Sequence, residues 1–124
     1  MRLQHVALTC SSEKNSDRFY KDLLGLAKSE PKSLAGSLSK AIFKIDADLL
    51  MVHYRGKEIH FEIFITDHPV NNNRQIDHVC LEVDNLKSFL KKCRDLDVEI
   101  SQIPKGDRIL TFIRDFDGNI FEIK

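Results

Sequence analysis

Histidine and glutamate recur at matched places in this chain, and together they have the makings of a divalent-metal site. His5 opens the string His5-Val6-Ala7-Leu8, and Glu62 lies within Phe61-Glu62-Ile63. The second half repeats the order with His78-Val79-Cys80-Leu81 and Phe121-Glu122-Ile123. Imidazole and carboxylate donors suit a borderline-to-hard divalent ion such as Zn²⁺, Ni²⁺, Co²⁺, Mn²⁺ or Fe²⁺. Four such ligands on an octahedral ion leave positions open for water or substrate. An ion so held polarises neighbouring substrate oxygens as a Lewis acid.

The elements that must position these groups are legible in the hydrophobic pattern. Residues 3–10 alternate, with Val6 and Leu8 on one face and His5, Ala7 and Thr9 on the other, as in a half-buried strand. Ser11-Ser12-Glu13 and Asn15-Ser16 offer helix N-caps, Phe19, Leu23 and Leu24 follow at helical spacing, and Gly25 stands where a C′ glycine would. Residues 26–40 are the least legible stretch; Pro31 and Gly36 argue against one continuous element, leaving a short strand and a loop. Strand patterns are read at Ala41–Ile45, Leu49–Arg55 and Ile59–Thr66. Asp46-Ala47-Asp48 and Gly56-Lys57 are the turns between them. His68 to Asn73 is a linker. The second half predicts a strand over 76–83, a helix near 85–96, and strands near 99–103, 108–114 and 119–124. Asp115-Phe116-Asp117-Gly118 makes the last turn.

The order βαβββ therefore occurs twice, in modules of about 1–67 and 75–124 within a single domain spanning 1–124. The expected class is α+β, with the paired modules forming a curved mixed sheet around a cavity and the helices outside. Side chains alternate across a strand, so one rule orients all the candidate ligands. Val6 and Leu8, Val79 and Leu81, Phe61 and Ile63, and Phe121 and Ile123 take the helix side. His5, His78, Glu62 and Glu122 then point into the cavity.

Composition narrows the partners. Nineteen Lys and Arg balance nineteen Asp and Glu, so the formal net charge is zero. No basic footprint for nucleic acid or an anionic membrane surface is expected, and no strong self-repulsion opposes a homodimer. The longest apolar run, Leu49-Leu50-Met51-Val52, is far too short to span a bilayer. No apolar segment precedes the first strand pattern, so a secretory leader is not expected. Cys10, Cys80 and Cys93 form an odd set without a Cys-x-x-Cys pair, which points to reduced thiols and a cytoplasmic setting.

The motifs Leu3-Gln4-His5-Val6-Ala7-Leu8, Phe19-Tyr20-Lys21-Asp22-Leu23-Leu24-Gly25-Leu26, Phe61-Glu62-Ile63, Ile76-Asp77-His78-Val79 and Asp115-Phe116-Asp117-Gly118-Asn119-Ile120-Phe121-Glu122 span nearly the whole chain. On them the chain resembles the vicinal oxygen chelate, or glyoxalase/bleomycin-resistance/dioxygenase, superfamily. Its His-Glu-His-Glu set is similar to that of glyoxalase I, the lactoylglutathione lyases. The resemblance implies His5, Glu62, His78 and Glu122 as metal ligands, Glu122 as catalytic base and Glu62 as its counterpart. It implies a lyase or isomerase acting on a small α-oxo or α-hydroxycarbonyl compound or its thiol adduct. The chain departs from the bacterial glyoxalase I pattern at Thr9, where an arginine is usual, and at Thr66, where an asparagine is usual. Both places are associated with gripping glutathione. Other members of the superfamily leave further readings open: a metal-free or loosely metallated binding protein of the bleomycin-resistance type, a thiol transferase, a dioxygenase or an epimerase.

The remaining candidates have plainer readings. His60 shares the face of Glu62 and either lines the cavity or takes the place of Glu62 under a two-residue register shift. His53 and His68 read as surface or turn residues. Cys80 points inward as a small core residue or a soft contact, whereas Cys10 and Cys93 pack with the helices. Lys87, Lys91 and Lys92 form a solvated helix face.

Overall fold

The computed structural model describes residues 4–67 and 77–124. The chain divides into two compact units, Met1–His68 and Pro69–Lys124. Each has its own sheet and repeats one topology.

In the first unit β1 (Val6–Cys10) leads into a helical turn, α1 (Glu13–Ser16), that continues as a π-helical segment, Asp17–Leu23. The Ser12 hydroxyl caps α1 by accepting from the Asn15 amide at 3.1 Å, so a donor that helix geometry leaves free is satisfied. The wider π turn, which carries an extra residue against the core, holds Phe19, Tyr20 and Leu23 all on the buried side. Gly25 at φ +70 ends the segment in the left-handed region, as the sequence predicts. β2 (Ala27–Lys28), β3 (Lys32–Leu34), α2 (Gly36–Phe43), β4 (Leu49–Arg55) and β5 (His60–Ile65) follow. The strand order is β1-β5-β4-β2, with β3 also on β4; β1 runs parallel to β5 and the other pairs are antiparallel.

One expectation is corrected here. Ala41–Ile45 is not a strand: residues 41–43 form the last turn of α2. A short apolar run does not by itself separate helix from strand. Local contacts decide it: the Asp48 carboxylate accepts from the Gly36 amide at 2.6 Å, and Lys44 closes the helix at φ 64. The Lys40 ammonium meets Asp46 at 2.6 Å just beyond that end.

The second unit is a plain βαβββ module: β6 (His78–Leu81), α3 (Leu86–Asp95), β7 (Glu99–Lys105), β8 (Arg108–Arg114) and β9 (Ile120–Ile123). Its strand order, β6-β9-β8-β7, reproduces that of the first sheet, and β6 is again parallel to β9. Asn85 caps α3 by accepting from the Ser88 amide at 2.9 Å.

The buried residues follow the alternation. Val52, Tyr54, Phe61 and Ile63 are fully buried in the first unit, and Tyr20 from the π segment lies against Tyr54 and Phe61 at centroid distances of 5.4 and 5.2 Å. In the second, Leu90, Cys93, Val98, Ile113, Phe121 and Ile123 are buried. Removing such large side chains from water stabilises each by roughly 1.5–3 kcal/mol, enough to hold the strand faces in register. The residues between them, Glu62 and Glu122, must then face the other way.

Candidate metal centre

β5 is the inner strand of the first sheet, and its neighbours meet it at Glu62 from both sides. Parallel pairing sets Ala7 of β1 opposite Glu62, and antiparallel pairing sets His53 of β4 opposite it. His5, two residues before Ala7, reaches back diagonally: its Nε2 lies 3.3 Å from Glu62 Oε2. His53 approaches the other oxygen, with Nε2 3.7 Å from Oε1. Glu62 and His53 side chains are only 16% and 14% exposed, whereas His5 is 45% exposed and open to an arriving ligand.

The second unit repeats the arrangement. Cys80 of β6 is opposite Glu122 of β9, and His78, two residues earlier, places Nε2 3.8 Å from Glu122 Oε2. The Lys124 ammonium stands 3.5 Å from Glu122 Oε1. Burial, followed by the negative charge and hydrogen bond of Glu122, raises the pKa of the Cys80 thiol, which keeps it protonated rather than a nucleophilic thiolate. Phe112 of β8 is opposite Glu122, and His78 meets its ring edge-on at 6.0 Å.

Each sequence-assigned histidine thus lies beside the glutamate of its own half. Donors about 2.1 Å from a metal in neighbouring coordination positions are roughly 3.0–3.4 Å apart. The His5–Glu62 separation falls in that interval, so this pair fits two neighbouring positions on one divalent ion, whereas the His78–Glu122 separation lies beyond it. Among the described residues, no group of three or more His, Cys, Asp or Glu stands ready to hold an ion.

His53 is the residue that the sequence reading misplaced. It is neither surface nor turn but a half-buried mid-strand side chain beside Glu62. Its signal was available in the hairpin: a turn pairing Arg55 with His60 necessarily pairs His53 with Glu62. His60 keeps Glu62's face without replacing it. Its Nε2 lies 2.7 Å from His53 Nδ1 and accepts from Arg55 Nε at 3.3 Å. Burial, then the charge of Arg55, lowers the pKa of His60. Burial lowers that of His53 too, with Glu62 opposing and Arg55 and Lys32 assisting. Both imidazoles are held towards the neutral form, the one that ligates metals. His68 lies outside the described residues.

Thr9 pairs with Phe64, and the Thr66 amide donates to the Cys10 carbonyl at 2.9 Å, which places both threonines at the far end of the same strand pair. No helix among the described residues is long and apolar enough to cross a membrane.

Comparison with known proteins agrees with this architecture. The solved structures include the glyoxalase family protein from Enterococcus faecalis, at 17% identity and TM-score 0.76, covering 98% of this chain and 95% of that one. They also include the fosfomycin resistance protein FosX from Listeria monocytogenes, at 15% identity and TM-score 0.73, covering 98% and 90%. A mutant of the latter complexed with Mn(II) and 1S,2S-dihydroxypropylphosphonic acid matches at 15% identity and TM-score 0.71, covering 98% and 86%. At these identities the likeness is one of fold. Comparison with curated proteins finds no match. The family model for the Glyoxalase/Bleomycin resistance protein/Dioxygenase superfamily matches residues 2–123, and the chain belongs to that superfamily.

Proposed function

We propose that this protein is a divalent-metal-dependent lyase or isomerase of glyoxalase type, with His5, Glu62, His78 and Glu122 as ligands. The observation that carries the reading is the repeated His–Glu pair, which the same strand register sets side by side in each half, at 3.3 Å in the first and 3.8 Å in the second. The metal, when bound, supplies Lewis-acid polarisation of substrate oxygens.

The chain's own residues supply the proton chemistry. Glu122 takes the proton from the carbon that bears the hydroxyl and returns it to the neighbouring carbonyl carbon, while Glu62, its counterpart, passes the hydroxyl proton from the one oxygen to the other, so that carbonyl and hydroxyl exchange places. Lys124 offsets the charge of Glu122 on the side away from His78. The low exposure of both carboxylates limits their access to bulk water, which helps keep the abstracted proton available for return. The substrate is a small α-oxo or α-hydroxycarbonyl compound or its thiol adduct, and the working form is a homodimer in the cytoplasm.

Glutathione is not the preferred thiol. Thr9 offers a single hydroxyl where an arginine would hold a carboxylate through charge-assisted, bidentate hydrogen bonds, and Thr66 offers one where an asparagine would bring an amide donor and acceptor. Losing that grip weakens binding on the order of a hundredfold. The test is turnover of methylglyoxal by the metal-loaded protein with a panel of thiols, read as kcat/KM. Turnover with another thiol well above that with glutathione is expected; glutathione turnover at ordinary enzyme efficiency refutes this preference. A second reading is a thiol transferase, and the fold likeness to the fosfomycin resistance protein FosX gives a reason to try fosfomycin as its substrate. The acidic fourth ligand Glu62 speaks against it. Including fosfomycin in the same panel separates the two, and tight binding without turnover of any substrate would place the protein among binding members of the superfamily.

A further inference from the structure

Glu62 and Glu122 hold equivalent places in their sheets, and two residues farther along each strand the halves part. Phe64 follows Glu62, whereas Lys124 follows Glu122. Thr9 lies opposite Phe64 on the parallel neighbour, and Glu82 has the matching place four residues after His78. In the second half this end is open and charged: Glu82 is exposed, and the Lys124 side chain is 65% exposed. In the first half Phe64 is only 8% exposed.

The difference is α2, which has no counterpart in the second unit. Phe43, in its last turn, meets the Phe64 ring edge-on at a centroid distance of 5.3 Å, a geometry that aromatic pairs favour. Side chains two apart on a strand share a face, so Phe64 points to the side of Glu62. The end of α2 therefore lies on the face that carries the candidate ligands. Burial along that face changes to match. On β1, His5 and Ala7 are exposed and Thr9 is half-buried; on β4, His53 and Met51 are half-buried and Leu49 is buried. The face is open at His5 and closed beyond Glu62. Both ends of α2 are tied down. The Gly36 amide donates to Asp48, so closely that a Cβ at Gly36 would stand 3.2 Å from the Ala47 backbone, and Lys40 pairs with Asp46. α2 is thus a fixed wall.

We propose that Phe43, stacked on Phe64, determines specificity: it closes the Thr9 end of the site and confines it to α-oxo or α-hydroxy compounds with a short substituent. This rests on the metal reading above and narrows the class of compound that the same site takes. Phe64 lies two residues from Glu62, roughly 6.6 Å along the strand. A substituent directed that way meets the aromatic pair after a few carbons. A methyl group fits in that space, whereas a phenyl ring or a peptide tail does not. The closure works in the same sense as Thr9 and Thr66, by removing room rather than a hydrogen bond.

The probes are lactate and mandelate, α-hydroxycarboxylates that offer a metal the same two oxygens and differ in carrying a methyl or a phenyl group. Their binding to the full chain loaded with Co²⁺ is measured by calorimetry, and circular dichroism reports folding. The wild type should bind lactate the more tightly. Phe43→Ala should improve mandelate relative to lactate by at least about tenfold, as expected when a ring gains an apolar pocket. Phe43→Leu, which keeps an apolar contact for the helix, should do so by a smaller factor. Leu38→Ala, on the outer side of α2 where Leu38 is 53% exposed, should leave the ratio at the wild-type value. An unchanged ratio in both folded Phe43 variants would overturn the closure and leave the metal reading standing. So would an equal gain in Leu38→Ala, or a wild type that binds mandelate as readily as lactate or binds neither. Failure of the wild type to take up Co²⁺ would overturn both.

Discussion

Glu62 and Glu122 show what a single residue can demand of its surroundings. Each is held between hydrophobic neighbours that are nearly or fully buried, so its orientation is set by the cost of exposing Phe61, Ile63, Phe121 or Ile123. Glu62→Gln or Glu122→Gln keeps that shape but removes a charge beside a dication, and each should weaken metal binding by at least about tenfold. Metal content after dialysis against a chelator reads this directly. Retention equal to that of the wild type would remove the residue from the ligand set. Tyr54 is a residue of the opposite kind, fully buried on the helix side with its hydroxyl 2.7 Å from Ser16 Oγ and donating to Asp17 Oδ1 at 2.8 Å. Asp17 in turn accepts from Lys28, which also pairs with Glu13. Tyr54→Phe strands these partners and should cost about 1–3 kcal/mol in urea unfolding. Burial and Asp17 raise the phenol's pKa well above its ordinary value, Ser16 pulling the other way. A raised pKa stabilises the fold fully below the unfolded value of roughly 10 and loses that contribution as pH climbs towards the folded value. The wild type should therefore lose stability above about pH 10 more steeply than Tyr54→Phe.

At the scale of elements, the turn before β9 aims Glu122. Asp115 is buried, and its carboxylate accepts from the Asp117 amide at 3.0 Å, the Asn119 amide at 2.9 Å and the Asn119 side chain at 2.6 Å. Gly118 takes φ +87 between them, a conformation that a side chain disfavours. Asp115→Ala leaves these donors without their anion, so about 3 kcal/mol of stability should be lost. Because β9 carries Glu122, metal affinity should fall as well, even though Asp115 is not itself a ligand. An undiminished affinity in the folded variant would show that strand pairing alone positions Glu122. The Ser12 and Asn85 caps serve the helices similarly: each satisfies an amide with a short polar side chain just before the first turn. These devices are local; the sequence reading named the first cap and the turn, and the structure added Asn85. α2 was misread because its decisive partner, Asp48, lies beyond the helix's own end.

For the molecule as a whole, the proposed four-ligand site can be completed within one chain or between two. Were the proposed centre completed by the second half of a partner protomer, subunit exchange would report it. Mixing His5→Ala protein with Glu122→Gln protein, with subunit exchange, then creates hybrid dimers in which one centre carries both changes and the other neither. Random exchange should recover about one quarter of the metal sites, whereas centres completed within one chain would recover none. Chelator-competed metal content of the exchanged mixture, set against the unmixed variants, gives the answer.

The βαβββ repeat, the cap of the first helix, the turn at Asp115–Gly118 and the facing of His5, Glu62, His78 and Glu122 were readable from the sequence. Each depends on periodicity or on neighbours a few residues away, and the period of a strand leaves no choice about which side chains share a face. Tertiary structure decided the rest. It made residues 41–43 helical through contacts with Asp46 and Asp48, widened the first helix so that Phe19, Tyr20 and Leu23 share the core, and brought His53 to Glu62 by the pairing of β4 with β5. Side-chain type alone gave His53 no distinction from a surface histidine. Its chemistry comes from the carboxylate opposite, the imidazole behind and the solvent excluded around it, and those are properties of packed strands rather than of a chain.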